Sequence, residues 1–275
     1  MRISGAAVAG IAAALAIALV WSAPLLWMLV ASLRPDSYGA LDIASLWPSG
    51  PLSFENFREA FESGDFLVCY LNTLIVVAGT LGVQLVTVSL AGYAFARLRF
   101  PGRDLVFYLF LLQLMIVPPV LIVPNFKTVT ALGIHDTLWA VMAPYWASAF
   151  GTFLMRQAFK SIPRDFEDAA AIDGCNVIQL LRYVLLPIAK PALIAFSIVS
   201  VVAHWNEFLW PLMAIDSPGK RTLTLGLATF VSGAEGAAEW GLIAAGTLIV
   251  SLPLLAGFVV FQRQFVNSFV FSGIK

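Results

Sequence analysis

Charge is scarce in this chain: Asp, Glu, Lys and Arg make up 12% of its 275 residues, with 16 acidic and 16 basic side chains. A formal net charge of zero leaves no electrostatic footprint for nucleic acid. Only two cysteines occur, Cys69 and Cys175, and the topology read below sets them on opposite sides of a membrane, which excludes a disulfide framework. Histidine is as rare. His135 and His204 lie in different segments, so no metal-ligand cluster, serine triad or paired-carboxylate site assembles. Neither GxxxxGKS nor GxxxxGKT occurs. The run Ser217-Pro218-Gly219-Lys220 comes nearest, but it lacks the earlier glycine and is followed by Arg221, so it cannot cradle phosphates in the P-loop manner. Such a chain does not hydrolyse ATP itself, and an integral-membrane enzyme is a poor reading of it.

What the sequence has is apolar length. Hydrophobic residues supply 60% of it and mean hydropathy is +0.88, too apolar for an ordinary soluble domain. It reads as an all-α, polytopic integral membrane protein. Six spans are expected at about 3–33, 66–95, 105–124, 137–158, 192–214 and 240–261, within a single transmembrane domain over 1–275. A signal peptide rivals the first span, since Trp21-Ser22-Ala23 loosely resembles a cleavage site. The apolar run exceeds a signal's roughly 7 to 15 residues and continues past that site, which favours an uncleaved span. Residues 34–65 are expected as an outer loop with Pro35, Pro48 and Pro51 and a helical candidate at 54–61; 125–136 and 216–239 are further outer loops, the last rich in glycine up to Gly236. With both termini inside, Arg2, Arg97, Arg99, Arg103, Arg156, Lys160, Arg164, Arg182, Lys190, Arg263 and Lys275 are cytoplasmic, 11 of the 16 basic residues. That excess obeys the positive-inside rule.

Polar side chains recur on helical faces inside these spans. In the second, Thr73, Thr80, Gln84 and Thr87 stand at relative positions 0, 7, 11 and 14. Such a face should point inward, either to bond neighbouring helices or to line a pathway. In the third, Pro118, Pro119 and Pro124 must break or kink the ladder. Tyr145, Ser148 and Thr152 mark a polar face of the fourth. In the fifth, Ser197, Ser200, His204, Glu207 and Pro211 recur at spacings of three and four, predicted as one continuous stripe with Asn206 adjacent and Trp210 in the same segment. At about 1.5 Å per residue, Glu207 falls in the outer half of a core about 30 Å thick. An ionisable group there is a functional candidate, and a structural carboxylate bonded to a partner helix is the other reading. Candidate pathway residues are Gln84, Tyr145, Ser200, His204, Asn206, Glu207 and Trp210.

The polar loop 159–191 carries two helix-start signals. Asp165 is expected to cap a short helix with Asp168 reaching back, Gly174 to end it in a left-handed conformation, and Asn176 with Gln179 to open the next. Phe166, Ala169, Ala170 and Asp173 are predicted to share one face, an aromatic beside side chains small enough for close approach. Physics alone leaves two roles open: docking into another protein's groove, or an interfacial pair that joins two spans.

Asp168-Ala169-Ala170, two intervening residues, Asp173-Gly174, and then Leu186-Pro187 and Pro191 resemble the EAA loop of binding-protein-dependent ABC importer permeases. That pattern reads E-A-A, two residues, D-G, a spacer and L-P; the usual Glu is Asp168 here, with Glu167 beside it. The Ser53-Phe54-Glu55-Asn56-Phe57 run resembles a loop of the sugar-type permeases, and the Trp205 to Pro211 string resembles a segment shared by sugar and glycerol-phosphate importers. The resemblance implies six transmembrane helices with a cytoplasmic EAA coupling-helix loop between the fourth and fifth, in the bacterial inner membrane. It implies a second six-span permease subunit as heterodimer partner, two ATPase subunits that hold ATP and Mg, an extracytoplasmic solute-binding protein and surrounding lipid, with no cofactor in this chain. Phe166, Glu167, Asp168, Ala169, Ala170, Asp173 and Gly174 would then couple to the ATPase. The solute implied is a sugar or related polyhydroxy compound. Glycerol phosphate is the alternative within the family, and an ion-gradient-driven secondary transporter the alternative outside it. The latter would be expected to show several intramembrane ionisable groups and repeat-related broken helices. Glu207 and His204 are the groups found, without a convincing repeat.

Overall fold

The computed structural model describes residues 5–34, 52–63, 65–234 and 239–273. Pro35, Pro48 and Pro51 of the expected first loop, Gly236, Arg2 and Lys275 lie outside the described residues. Fourteen α-helical segments are described, and no strand is found among them. The chain divides into two compact units, residues 1–67 with 226–255, and residues 68–225 with 256–275.

In the first unit, α1 (Gly5–Ser32) is a long apolar helix, and the short α2 (Glu55–Ser63) follows the loop. The Ser53 hydroxyl accepts from the Glu55 N–H at 3.1 Å, an end cap for α2. Asn56 secures it to α1 by donating to the carbonyls of Ser32 (3.0 Å) and Arg34 (2.7 Å).

The helix α3 (Phe66–Arg97) is long and apolar enough to cross a membrane. Its inward face is polar: Thr73, Thr80 and Gln84 are buried, whereas Leu71, Ile75, Val86 and Leu90 are exposed. Asn72 donates to the carbonyls of Gly219 and Arg221, and Thr73 accepts from the Leu223 N–H at 2.8 Å. This face therefore bonds backbone in other segments. Close approach is needed lower on the helix, where a Cβ on Gly92 would stand 2.7 Å from Met155 Cβ and 3.1 Å from the Arg156 nitrogen.

Among the described residues, three helices meet the length and apolarity of a span, and three bent pairs bring the number to six if each pair is one span. Proline explains the sharpest bend. After α4 (Arg103–Leu112) and a 3-10 turn, Ile116 and Val117 are extended, Val117 because the residue before a proline is disfavoured in helix, and the chain turns by 104° into the helix that starts at Pro118. It continues as α5 (Ile122–Ala131), so much of the stretch 125–136 that was expected as loop is helix. The next pair, α6 (Leu138–Met142) and α7 (Ala149–Ser161), bends by 44° across 146–148. Ser148 starts α7 by accepting from the Gly151 N–H.

After α7 comes α8 (Asp165–Ile172), and then α9 (Val177–Gln179), a π-helical stretch Leu180–Leu185 and α10 (Leu186–Ile188), which together form the first arm of the third bent pair. A bend of 79° leads into α11 (Lys190–Trp205). Here the predicted continuous stripe needs correction: α11 stops at Trp205 and the chain resumes as α12 (Leu209–Ala214). Pro211 is the cause, since it has no N–H to give the Glu207 carbonyl and its ring would clash there. That carbonyl accepts from the Thr224 hydroxyl instead, at 2.6 Å. Within the expected outer loop 216–239, α13 (Leu223–Ala234) is a second departure, an apolar helix hidden by its glycines; α14 (Trp240–Gly273) closes the chain.

One clasp joins the loops before α6 and after α12. Asp136, in a left-handed conformation at φ 54°, accepts from the Ser217 hydroxyl at 2.5 Å, from the N–H groups of Ser217 and Asp216, and from Lys220 Nζ at 2.9 Å. These donors hold the Asp136 carboxyl well below the usual carboxylate range, the Ser217 hydroxyl foremost.

Candidate functional site: an exposed loop and a buried polar cluster

The loop is built on two local devices. At the end of α8, Gly174 takes φ 76°, the Cys175 N–H bonds the Ala170 carbonyl at 2.9 Å, and the Gly174 N–H bonds Ala171 at 3.1 Å. That paired pattern is a Schellman turn, and a side chain at φ 76° would carry strain even though open space surrounds it. Then Asn176 accepts from the Gln179 N–H while the Gln179 side chain accepts from the Asn176 N–H, a reciprocal capping box. The start of α8 differs from expectation. Arg164 occupies the cap position without a side-chain bond, and Asp165 is already the first helical residue. Asp165, Glu167 and Asp168 instead stand in the first turn, where the backbone dipole favours carboxylates.

The faces of α8 also divide differently. Ala170 is 5% exposed and packs with Met155, Phe159, Leu180 and Leu185, so it does not share the open side with Phe166, Ala169 and Asp173. Glu167 turns inward too, pairing with Arg97 at 2.6 Å. The open surface of the loop sets large apolar side chains among exposed carboxylates: on α8 Phe166 is 48% exposed and Ile172 88%, beside Asp165, Asp168 and Asp173, and on α9 Ile178 is 76% exposed. Burying a side chain of that size is worth about 1.5–3 kcal/mol.

The second constellation sits where the spans break. The turn at 146–148 frees the carbonyls of Tyr145 and Trp146, and α3 supplies the donors: Gln84 Nε2 to Tyr145 at 2.7 Å, the Thr87 hydroxyl to Trp146 at 2.7 Å. A carbonyl only accepts, which fixes the Gln84 amide with its nitrogen toward Tyr145. Its oxygen then accepts from the Ser200 hydroxyl at 2.6 Å, and its nitrogen faces His204 Nε2 at 3.3 Å, so that ring nitrogen is the acceptor. The Tyr145 and His204 rings lie 4.7 Å apart, and the Tyr145 hydroxyl stands beside the Glu207 carboxylate.

Gln84, Tyr145, Ser200, His204 and Glu207 are therefore brought together. Gln84 and Ser200 are buried, Tyr145, His204 and Glu207 half-buried. Asn206 is exposed at the end of α11, its amide donated to Val202. Trp210 sits in another buried group with Val76, Val141 and Ala214, its indole N–H donated to Ala140. Thr224 and Arg97 escaped sequence reasoning; an arginine ending an apolar span was the available signal for the second.

Residues 88–268 match the family described as binding-protein-dependent transport system inner membrane component. The chain belongs to this family. The lactose transport system permease protein LacG of Rhizobium radiobacter is 32% identical over 250 residues, 90% of this chain and 89% of that protein. The trehalose transport system permease protein SugB of Mycobacterium tuberculosis is 30% identical over 254 residues, 92% of each. The sn-glycerol-3-phosphate permease protein UgpE of Brucella abortus (strain 2308) is 30% identical over 254 residues, 90% of each. Among solved structures, a bacterial ABC transporter that imports the acidic polysaccharide alginate shares the fold, with a TM-score of 0.81 at 23% identity over 96% of this chain and 99% of that one. The protein is thus an ABC importer permease, an inner-membrane transport subunit. Family membership sets aside the gradient-driven alternative.

Proposed function

We propose that this permease forms half of the translocation pathway for a neutral sugar or related polyhydroxy solute. Its partners in this reading are a second six-span permease, two cytoplasmic ATPase subunits that hold ATP and Mg, and an outer solute-binding protein. The observation that carries the reading is the exposure of Phe166 and Ile172 on α8, held out by a glycine turn and a capping box in a loop whose other side is firmly packed. Both termini and this loop are cytoplasmic in the proposal, following the distribution of Arg and Lys. ATP binding closes the ATPase dimer, moves α8, and rocks the spans so the pathway opens outward; hydrolysis resets it.

Solute is placed along the breaks, nearest Asn206, Glu207 and Tyr145. Gln84, Ser200 and His204 hold those breaks open from behind, and Trp210 fixes α12. Names of relatives that carry lactose and trehalose support a sugar. Relatives named for glycerol phosphate support a second reading, against which the Glu207 carboxylate would repel an anion. Purification through a tag on this chain, followed by reconstitution, tests both. Recovery of an ATPase and a second permease is expected, with Glu207→Gln lowering uptake of lactose or trehalose while glycerol phosphate stays outside. Unchanged transport and unchanged solute-stimulated hydrolysis in that variant would remove Glu207 from the pathway.

A further inference from the structure

The last residue of α3 is a charge almost shut off from water. Arg97 has a side chain 8% exposed and two contacts of 2.6 Å: Nη2 donates to the Ile162 carbonyl, and Nε pairs with a Glu167 carboxylate oxygen. Those partners belong to the ends of two other helices. Ile162 closes α7, and Glu167 stands in the first turn of α8. A guanidinium at one helix C-terminus and a carboxylate at another's N-terminus each sit where the backbone dipole favours them. The Nη2 contact is a directional hydrogen bond and the Nε contact a close charge pair, so one guanidinium reaches both partners at once, which the single point charge of a lysine ammonium does not reproduce.

Three helix ends therefore meet on one side chain. The open side of α8 does not need Glu167, because Phe166, Ala169 and Asp173 are exposed without it. We propose that Arg97 is a positioning residue that ties α8 to the ends of α3 and α7, so that displacement of α8 is carried into those spans. The proposal rests on the reading of α8 as the element on which the ATPase docks. Its physical basis is the burial of the pair: pulling α8 away from α3 would strand a guanidinium out of water, so the ends move together.

A pair that only stabilises the fold would look the same at rest, so the test replaces both partners. Arg97→Met with Glu167→Leu fills similar volume with apolar groups, a change often tolerated in stability, while removing both the ion pair and the bond to Ile162. Hydrogen exchange is followed in the intact complex with its ATPase, before and after Mg-ATP and vanadate. In the wild type, protection should change at 165–172 and at 91–97 together. In the double variant the change at 165–172 should persist while that at 91–97 falls roughly fivefold or more. An undiminished response at 91–97 would overturn the tether. No response at 165–172 in the wild type would overturn the docking reading first, and the proposal with it. If the double variant does not assemble, Arg97→Lys decides: a response at 91–97 between wild type and zero supports the tether, and a wild-type response overturns it.

Discussion

Around Gly174 the chain leaves a helix and satisfies the freed backbone from residues within a few positions, through a Schellman turn and a capping box. Around Tyr145 it also leaves a helix, yet the groups that satisfy it stand 61 positions away in Gln84 and 59 in Thr87. Both places interrupt helices, and they differ in what they keep for themselves. The loop spends only local side chains on its own geometry and leaves Phe166, Ile172 and Ile178 free for a partner. The cluster holds the break with distant polar side chains, beside which Asn206 is exposed and Glu207 and Tyr145 are half-buried. Local self-sufficiency suits a docking element, and long-range support suits a pathway that must stay in shape.

The largest expected effect breaks the distant support. Gln84→Leu strands the Tyr145 carbonyl and the Ser200 hydroxyl in a buried setting, at about 1–3 kcal/mol for each group left unpaired. Thermal unfolding of the purified complex should drop accordingly, and transport should fail, while the ATPase still co-purifies. A stable, transporting Gln84→Leu complex would erase the distinction between the two regions.

Next comes the local device. Gly174→Ala forces a side chain into the left-handed region at a cost of about 1–2 kcal/mol, confined to the loop. ATPase recovery should fall with little change in the unfolding of the spans. If unfolding of the spans shifts as much as recovery does, the loop is not locally built.

How much of this was legible follows the same division. Asn176 with Gln179 and the left-handed Gly174 could be read because each depends on neighbours in sequence. The inward face of α3 was legible as well, since polar residues in hydrocarbon require partners. The start of α8 was misread: Asp165 and Asp168 form a plausible box, but the first turn is set by Glu167 reaching Arg97, a partner 70 positions away. The stripe through Glu207 was misread for a subtler reason. Periodicity suggested one helix, and Pro211 was counted as a member when it was the breaker. Ala170 looked like part of an open face because helical spacing does not say which side the Met155 and Phe159 layer will cover.

The smallest effect concerns the Asp136 clasp, where the carboxyl is held below its ordinary range by Ser217, Lys220 and backbone donors. A depressed carboxyl contributes stability that is fully present above its ordinary value of about 4 and is lost as pH falls through the lower folded value. The loops around Asp136 and Ser217 should therefore keep their exchange protection from pH 7 to about 5 and lose it only in stronger acid. Asp136→Asn should flatten that acid dependence. Protection lost already between pH 7 and 5 would show that another group governs the clasp.

The central claim is that the open side of α8 is where the ATPase sits, and a photocrosslinking amino acid tests it most directly. Placed at Ile172, 88% exposed, it should capture an ATPase subunit in the membrane-bound complex; placed at Leu180, buried in the layer behind, it should give only crosslinks within this chain. Capture of the ATPase from neither position, or from Leu180 but not Ile172, would contradict the account.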